Sequence, residues 1–315
     1  MRNALAIAAI LMAAACGSSK PPATETENHE TTDDTETGTG DDTTPPADHT
    51  DQVEQKKPVE PPPPPKEVTS RHLRPADIKW MPFDASKPDQ GPWVAQIWGD
   101  PGTGPAGLMV KADPKFASPP HVHTSDYRAV VISGSVTNDV PKPKKKPAKL
   151  GVGSYWQQAG GEVHVTACPD GCIGYLTIEG AFDNLTPDKA GKSPTGMKSS
   201  NIPAAKLKWV APPGTQGIWF AQAWGDPNGD KPHGFFIKIA AGNPGFMHYH
   251  TNDYHAVVIQ GSPRHWEPGE TAEPSPPGSY FWQKGGAPHQ DSCDAGTDCI
   301  GYVVMLGKLD FFPAK

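Results

Sequence analysis

The sequence contains no apolar run long enough to cross a membrane as a helix. The longest hydrophobic segment, Ala4 to Ala15, has twelve residues, whereas a membrane-spanning helix needs about 20. Between Gly17 and Ser70 there is no aromatic residue at all. After residue 70, no segment keeps a helical period of apolar residues for three turns. These absences argue against a membrane-spanning helix, a folded N-terminal domain and a helical fold.

An excess of positive charge is also missing. The net charge is −7, and most of it is local, because residues 17–70 carry thirteen acids and four bases. Residues 71–315 hold 23 bases and 22 acids, so this part is close to neutral. A near-neutral surface argues against nucleic acid as a partner.

The first sixteen residues predict export. A basic start at Arg2, the apolar run and small residues before Cys16 are typical of a secretory signal peptide. Ala13 to Cys16 resembles the lipobox of bacterial lipoproteins, although Ala13 stands where leucine is usual. The resemblance implies that Cys16 is acylated and anchors the protein to a membrane of the bacterial cell envelope, in the periplasm or at the surface. Plain secretion with an incidental Cys16 is the alternative.

Residues 17–70 read as a disordered tether. This stretch is rich in Thr, Glu, Asp and Pro, and it has too little apolar surface to offset the entropy lost on ordering. Pro61 to Pro65 predicts a stiff polyproline II segment. An acidic or glycosylated stalk remains an alternative role.

The remainder of the chain is a sequence repeat with an offset of 125 to 129 residues, which indicates two domains, residues 71–190 and 200–315. Several short segments recur: Trp98-Gly-Asp-Pro as Trp224-Gly-Asp-Pro, His121-Val-His123 as His248-Tyr-His250, Gly153-Ser-Tyr as Gly278-Ser-Tyr, and Cys172-Ile-Gly-Tyr as Cys299-Ile-Gly-Tyr.

Within each repeat the apolar segments are short, rich in β-branched and aromatic residues, and separated by Gly and Pro. This pattern predicts an all-β sandwich or closed barrel. In the first repeat the predicted strands are 93–98, 107–112, 127–132, 154–158 and 174–179. Trp98 and Trp224 are expected in the core, whereas alternation leaves open whether four aromatic residues face the core or a barrel mouth: Tyr155, Trp156, Tyr280 and Trp282.

Six histidines occupy equivalent positions in the repeats. Residues two apart on a strand share a face, so each His-x-His directs two imidazoles to one point. A third histidine follows 39 to 41 residues later. Three protein ligands leave coordination positions open for water or substrate, as in a reactive metal site. The sequence therefore predicts one divalent transition metal ion (Fe, Mn, Ni or Zn) per repeat, with these ligands: His121, His123 and His164, then His248, His250 and His289.

These histidine segments resemble the two cupin motifs, and the resemblance covers residues 75–310. It implies two tandem cupin (jelly-roll) β-barrels. Tyr127 and Tyr254 stand where the first motif has its glutamate, usually the fourth metal ligand. A phenol is a poor ligand at neutral pH unless the metal lowers its pKa. The neighbouring Asp126 and Asp253 are alternative ligands, although a hydrogen bond to the turn is the favoured role.

Four of the five cysteines form two close pairs, Cys168/Cys172 and Cys293/Cys299. In an exported protein each pair is expected to form a disulfide, which would brace the strand that presents His164 or His289. In the alternative interpretation Cys168 and Cys293 are thiolate ligands.

The function predicted from these features is that of a metal-binding bicupin lipoprotein acting on a small-molecule partner. Three-histidine cupins similar to this pattern include iron(II) dioxygenases, so a dioxygenase-like enzyme on a small oxygen-rich or thiol substrate is the leading hypothesis. A protein that binds metal or a small ligand without catalysis is the main alternative, and a structural lipoprotein with relic sites is the second. The sequence does not identify the catalytic residues or the oligomeric state.

Overall fold

The structure is a computed structural model that describes residues 67–314. The predicted signal peptide, Cys16 and almost all of the predicted tether lie outside the described residues. None of the described residues forms a helix long and apolar enough to cross a membrane.

Short strands make up nearly all the regular structure of residues 67–314. Those of the first part of the chain are β1 (Ser70–Leu73), β2 (Met81–Pro82), β3 (Trp93–Gly99), β4 (Ala106–Ala112), β5 (Phe116–Ala117), β6 (Tyr127–Asp139), β7 (Leu150–Gly151), β8 (Tyr155–Gln158), β9 (Val165–Cys168) and β10 (Cys172–Ile178). The later ones are β11 (Ser200–Ile202), β12 (Ile218–Trp224), β13 (His233–Ile239), β14 (Met247–Tyr249), β15 (Tyr254–Gln260), β16 (Pro263–Trp266), β17 (Tyr280–Gln283), β18 (His289–Cys293), β19 (Cys299–Met305) and β20 (Phe312–Pro313). Three 3-10 turns complete the set: Pro75–Asp77, Pro187–Lys189 and Ala204–Lys206.

The all-β prediction is confirmed for the described residues. All five strands predicted in the first repeat are present, and four of them lie within about two residues of their expected ends. The main difference is β6, which continues through Gly134 to Asp139. The strand can pass through position 134 only because this residue is glycine. Its φ is +69°, and the backbone of Gly171 packs against it and leaves no room for a side chain.

Two large antiparallel sheets have corresponding strand orders. One runs β11-β8-β6-β10-β4-β3, with β2 added at its edge, and the other runs β1-β17-β15-β19-β13-β12. The first strand of each repeat is exchanged, because β1 pairs with β17 of the later repeat and β11 pairs with β8 of the earlier one. Thus Ser70–Leu73 lies at the start of the first repeat in sequence but completes the sheet of the second.

The largest hydrophobic cluster joins the two sheets and contains residues of both repeats. Tyr155 lies 6.2 Å from Tyr302 between ring centroids, and Tyr175 lies 6.4 Å from Tyr280. The sequence left open whether four aromatic residues face the core or a barrel mouth, and the structure gives the position of each. Tyr155, Tyr280 and Trp282 pack in this shared cluster, whereas Trp156 points to the other face of β8 and into the interior of the first repeat.

Trp98 and Trp224 also pack against the shared cluster, as expected of core residues. Each indole N–H donates to a buried tyrosine hydroxyl, Trp98 to Tyr175 at 2.7 Å and Trp224 to Tyr302 at 2.8 Å. The polar edge of each ring is thereby satisfied inside the core.

Candidate metal sites

The first histidine group lies where two irregular extended segments meet. Backbone hydrogen bonds join His121 and His164 in both directions, and His123 follows two residues after His121 on the same face. The ring centroids lie between 4.2 and 5.2 Å apart. One nitrogen from each ring falls within 4.8 Å of the others, so this group can hold a metal ion.

The second group is built in the same way. His248 in β14 pairs in register with His289, the first residue of β18, and His250 follows β14. Their ring centroids lie 4.4 to 5.4 Å apart, and one nitrogen from each ring again falls within 4.8 Å of the others. The six predicted histidines thus form two separate groups of three.

Backbone carbonyls orient all six rings. Nδ1 lies near the carbonyl oxygens of Pro119, Asp183 and Glu162 in the first group, and of Phe246, Asp310 and Ala287 in the second. A carbonyl only accepts, so Nδ1 carries the proton and Nε2 keeps a lone pair. Fixing the tautomer through the outer nitrogen is how proteins prepare histidine for metal binding.

Burial keeps several of these imidazoles neutral. It lowers the pKa of His123, His164 and His289 to about 3 in each case. The pKa values of His121 and His250 are also below the usual range, again because of burial. Neutral imidazole is the form that binds a metal ion, so the chemistry of both donor sets fits a divalent transition ion.

Tyr127 and Tyr254 face the histidines at the positions of the missing glutamates. Their hydroxyls lie 3.4 Å from Nε2 of His164 and 3.2 Å from Nε2 of His289. Burial raises the pKa of Tyr127 to about 12 and that of Tyr254 well above its usual value. Both phenols therefore stay protonated and donate a hydrogen bond to the ring nitrogen.

Asp126 and Asp253 instead brace the chain around the sites. Asp126 accepts the N–H of Gly160 at 2.6 Å and the hydroxyl of Ser193 at 2.9 Å. Asp253 accepts the N–H of Gly285 at 2.8 Å. Neither belongs to a group of potential ligand atoms within residues 67–314, which agrees with the hydrogen-bonding role favoured from the sequence.

Both predicted disulfides are present, Cys168–Cys172 and Cys293–Cys299. The interpretation of Cys168 and Cys293 as thiolate ligands is therefore wrong, because their sulfur atoms are used in covalent bonds. Each disulfide lies at the end of the strand that follows the third histidine of its group, β9 or β18. It ties that strand to the start of the next one.

The second group opens into a cavity of about 510 Å³. Its wall is mostly apolar, with the polar groups of His248, His250 and Asp291 at one place. At the rim, Phe246 and Phe311 keep 47% and 44% of their surface exposed. Phe311 stacks on His248 with 4.6 Å between ring centroids.

The sequence analysis missed Asp291 and His265. Asp291 lies two residues after His289 on β18, so the strand period alone places both on one face. Its carboxylate is 3.8 Å from Nε2 of both His248 and His289. Asp291 does not stand out in the repeated pattern, because the equivalent residue in the first repeat is Thr166.

His265 and Asp291 form a charged pair, 2.8 Å apart. Burial acts to raise the pKa of Asp291, but His265 and the site histidines lower it far below its usual range. Burial likewise acts to lower the pKa of His265, yet the negative charge and hydrogen bond of Asp291 raise it. Their interaction therefore favours the ionised form of both residues.

Solved structures with a similar fold include oxalate decarboxylases. One, from Bacillus subtilis and described with Mn(II) centres, is 12% identical with a TM-score of 0.53, and the alignment covers 78% of this chain and 80% of that chain. Another, a formate complex from Lactobacillus farciminis, is 14% identical with a TM-score of 0.53, covering 78% and 89%. At such identity the likeness shows the fold alone, which is that of a cupin. No curated protein matches the sequence.

A family match covers residues 73–311 and so includes both histidine groups, the cavity and both disulfides. Because this span is most of the sequence, the chain belongs to the family described as Domain of unknown function (DUF4437).

Proposed function

We propose that this protein is a metal-dependent enzyme made of two tandem cupin barrels, with its reaction site in the second repeat. The observation that carries the proposal is the position of His248 and His250 in the wall of the 510 Å³ cavity. Three imidazoles held by backbone carbonyls beside a cavity of ligand size provide both a metal site and room for a substrate.

The cavity lining indicates the class of substrate. Phe220, Phe235 and Ile237 are among the many apolar side chains of the wall, which also includes the imidazoles of His248 and His250. A molecule with an apolar body and an oxygen or thiol donor at one end matches this division. Oxalate, the small dianion that gives the structural neighbours their name, has no apolar part and matches it poorly.

A divalent ion at this site would act as a Lewis acid that binds and polarises the donor atoms of the substrate. The protein supplies the remaining functions. Phe311 covers one face of His248 and shields the imidazole from water. Tyr254 points its hydroxyl at the site and keeps its proton, because burial raises its pKa well above the usual value, so the hydroxyl can donate a hydrogen bond there.

The reaction class we propose is dioxygenase-like, in which both atoms of O₂ enter the substrate. Three histidine ligands leave several coordination positions free, enough for a substrate donor and a second small molecule. Iron(II) and manganese(II) suit such chemistry better than zinc, which is not redox-active. Binding of a small ligand without turnover is the alternative.

The first repeat has the same histidines but a different interior. The large side chain of Trp156 packs inside it with Leu108 and Leu176, and the corresponding position in the second repeat holds the smaller Phe281. We assign the first group a metal-binding role that supports the fold, and substrate turnover to the second.

The proposal includes anchorage in the bacterial cell envelope through acylated Cys16, with residues 17–70 as a tether. The two disulfides support export, because such bonds persist in oxidising compartments.

Metal analysis and turnover together test the proposed function. Protein purified without added metal is expected to contain about two equivalents of metal per chain. Iron(II)- or manganese(II)-loaded protein is then screened for O₂ consumption with β-diketones, thiols and apolar carboxylic acids. His250→Ala should lose one equivalent of metal and all turnover. His123→Ala, the matched variant, should lose one equivalent and retain turnover.

Zinc alone with no O₂ consumption would contradict the enzyme and favour the binding protein. Loss of both metal ions in either single variant would contradict two independent sites.

A further inference from the structure

The second metal site has a carboxylate beside its histidines, and this carboxylate lies on β18 and not at the motif glutamate position held by Tyr254. Asp291 follows His289 by two residues on β18 and shares its face. One carboxylate oxygen, Oδ2, lies 3.8 Å from Nε2 of His248 and 3.8 Å from Nε2 of His289. Neighbouring ligand atoms around one ion lie roughly 3 to 4 Å apart when each bond is about 2.1 Å long. The oxygen therefore lies within reach of the same ion.

The other oxygen of Asp291 is held from behind by a chain of hydrogen bonds. Nδ1 of His265 donates to Oδ1 of Asp291 at 2.8 Å. Nε2 of His265 lies 2.8 Å from Oε1 of Gln283, whose amide nitrogen donates to Glu267 at 3.0 Å. Because the Gln283 amide nitrogen faces a carboxylate, its oxygen must face His265. Both ring nitrogens of His265 therefore face acceptor oxygens.

A second set of residues near this site could in principle bind a metal ion. His265, His289 and Asp291 form a further cluster of potential ligand atoms, but the hydrogen bonds of His265 exclude it. Both ring nitrogens of His265 already lie 2.8 Å from side-chain oxygens, those of Asp291 and Gln283, so neither nitrogen is free to face a metal ion. His265 consequently positions Asp291 and balances its charge.

The first repeat has the same framework without charge. Thr166 takes the place of Asp291 and pairs with Asn138, just as Asp291 pairs with His265. The Thr166 hydroxyl donates to Asn138 at 2.7 Å, and Asn138 donates to Gln158 at 2.8 Å. A neutral network thus replaces the charged pair at the same positions.

We propose that Asp291 is the fourth metal ligand of the second repeat, in the role left vacant by the tyrosine at the motif glutamate position. This inference rests on the metal site of the proposed function and deepens it. The first site is then a neutral three-nitrogen set, and the second is a three-nitrogen, one-carboxylate set. A carboxylate adds a negative charge and a hard oxygen donor, which strengthens binding of ions such as Mn²⁺. The two sites are therefore chemically distinct.

Manganese affinity of each site, measured separately, tests the inference. In the His123→Ala background only the second site remains, and in the His250→Ala background only the first. Free Mn²⁺ is followed by its solution EPR signal during titration. Asp291→Asn should weaken binding at the second site by roughly tenfold to hundredfold or more. Thr166→Asn, which places the same side chain at the equivalent position of the first site, should leave binding there nearly unchanged.

Asp291→Glu, which retains a carboxylate, should recover a large part of the affinity that Asp291→Asn loses. Folding is checked in the chain with both sites, where Asp291→Asn should leave the first site at full affinity. Wild-type affinity for Mn²⁺ at the second site of Asp291→Asn would overturn the inference while leaving the proposed function intact. If neither background binds a metal ion at all, the proposed function fails together with it.

Discussion

At the scale of single residues, the two repeats differ more than their shared histidines suggest. Tyr127 and Tyr254 replace a carboxylate with a protonated phenol at the same place. Only the second repeat supplies another carboxylate, Asp291, which is 3.8 Å from two of the histidines. One substitution between equivalent positions, threonine against aspartate, thus changes the charge of a metal site.

Cys16 carries the proposed attachment to the membrane, so its replacement should separate localisation from metal chemistry. Cys16→Ser removes the acylated sulfur, and we expect the protein to move from the membrane fraction to the soluble fraction. Cell fractionation and immunoblotting measure this. Metal content per chain should be the same as in the wild type, because Cys16 is remote in sequence from both histidine groups. A Cys16→Ser protein that still sediments with membranes would contradict the lipid anchor.

At the scale of secondary-structure elements, β1 connects the N-terminal segment of the chain to the sheet of the second repeat. Its residues pair with β17 from Ser70↔Gln283 to Leu73↔Tyr280. Just before it, the Thr69 hydroxyl donates to Glu267 at 2.7 Å. Glu267 in turn accepts from Gln283 in the chain that holds Asp291. The N-terminal strand thereby supports the second metal site.

Removal of β1 should therefore weaken the second repeat selectively. A chain that begins at Arg74 lacks the strand, the Thr69–Glu267 hydrogen bond and the packing of His72 on Phe281, where the ring centroids are 5.1 Å apart. We expect a loss of roughly 3 kcal/mol in the free energy of unfolding, from buried apolar area and backbone hydrogen bonds. Urea denaturation measures it, and Mn²⁺ titration should show weaker binding at the second site.

The matched control is a chain that begins at Val68, which retains β1 and should behave as the full protein does. Equal stability of the two shortened chains would show that the strand exchange contributes nothing to the second repeat.

At the scale of the whole molecule, the repeats hold each other through reciprocal contacts. His255 of the second repeat stacks on Trp98 of the first, with 4.3 Å between ring centroids. At the equivalent place, the guanidinium of Arg128 lies 3.8 Å over the ring of Trp224. Nδ1 of His255 is also hydrogen-bonded to the hydroxyl of Tyr280 at 2.7 Å. The contact of Arg128 with Trp224 is cationic, whereas the contact of His255 with Trp98 is neutral.

The neutral contact makes the molecule sensitive to acid. Burial lowers the pKa of His255 to about 4 from its usual 6.5, against an opposing effect of Asp253. Because the unfolded chain takes up a proton first, stability falls as the pH drops from about 6.5 to about 4 and then no longer changes through this group. The contribution is on the order of 3 kcal/mol.

His255→Gln isolates this contribution, since other buried histidines also titrate. The free energy of unfolding, measured by urea denaturation in the presence of a chelator, should decline less steeply between pH 6.5 and pH 4 in the variant than in the wild type. Parallel pH profiles for the two proteins would contradict a buried neutral His255.

The sequence by itself determined the features that depend on local order and on repetition. Short apolar segments that are rich in β-branched and aromatic residues and separated by Gly and Pro predicted the strands. The spacing of His121, His123 and His164, repeated later, predicted both metal groups. The pairing of the cysteines followed from their proximity along the chain, and both disulfides are present.

Tertiary structure alone decided what depends on contacts between distant segments. The exchange of β1 and β11 could not be read from local pattern, because an edge strand fits either sheet equally well by its own residues. The link between Asp291 and His265 requires the register of β16 against β18, and the cavity depends on how side chains from many strands fill one volume. The similarity of the repeats revealed the fold, whereas the differences that give the second site its chemistry emerged only when the strands were brought together.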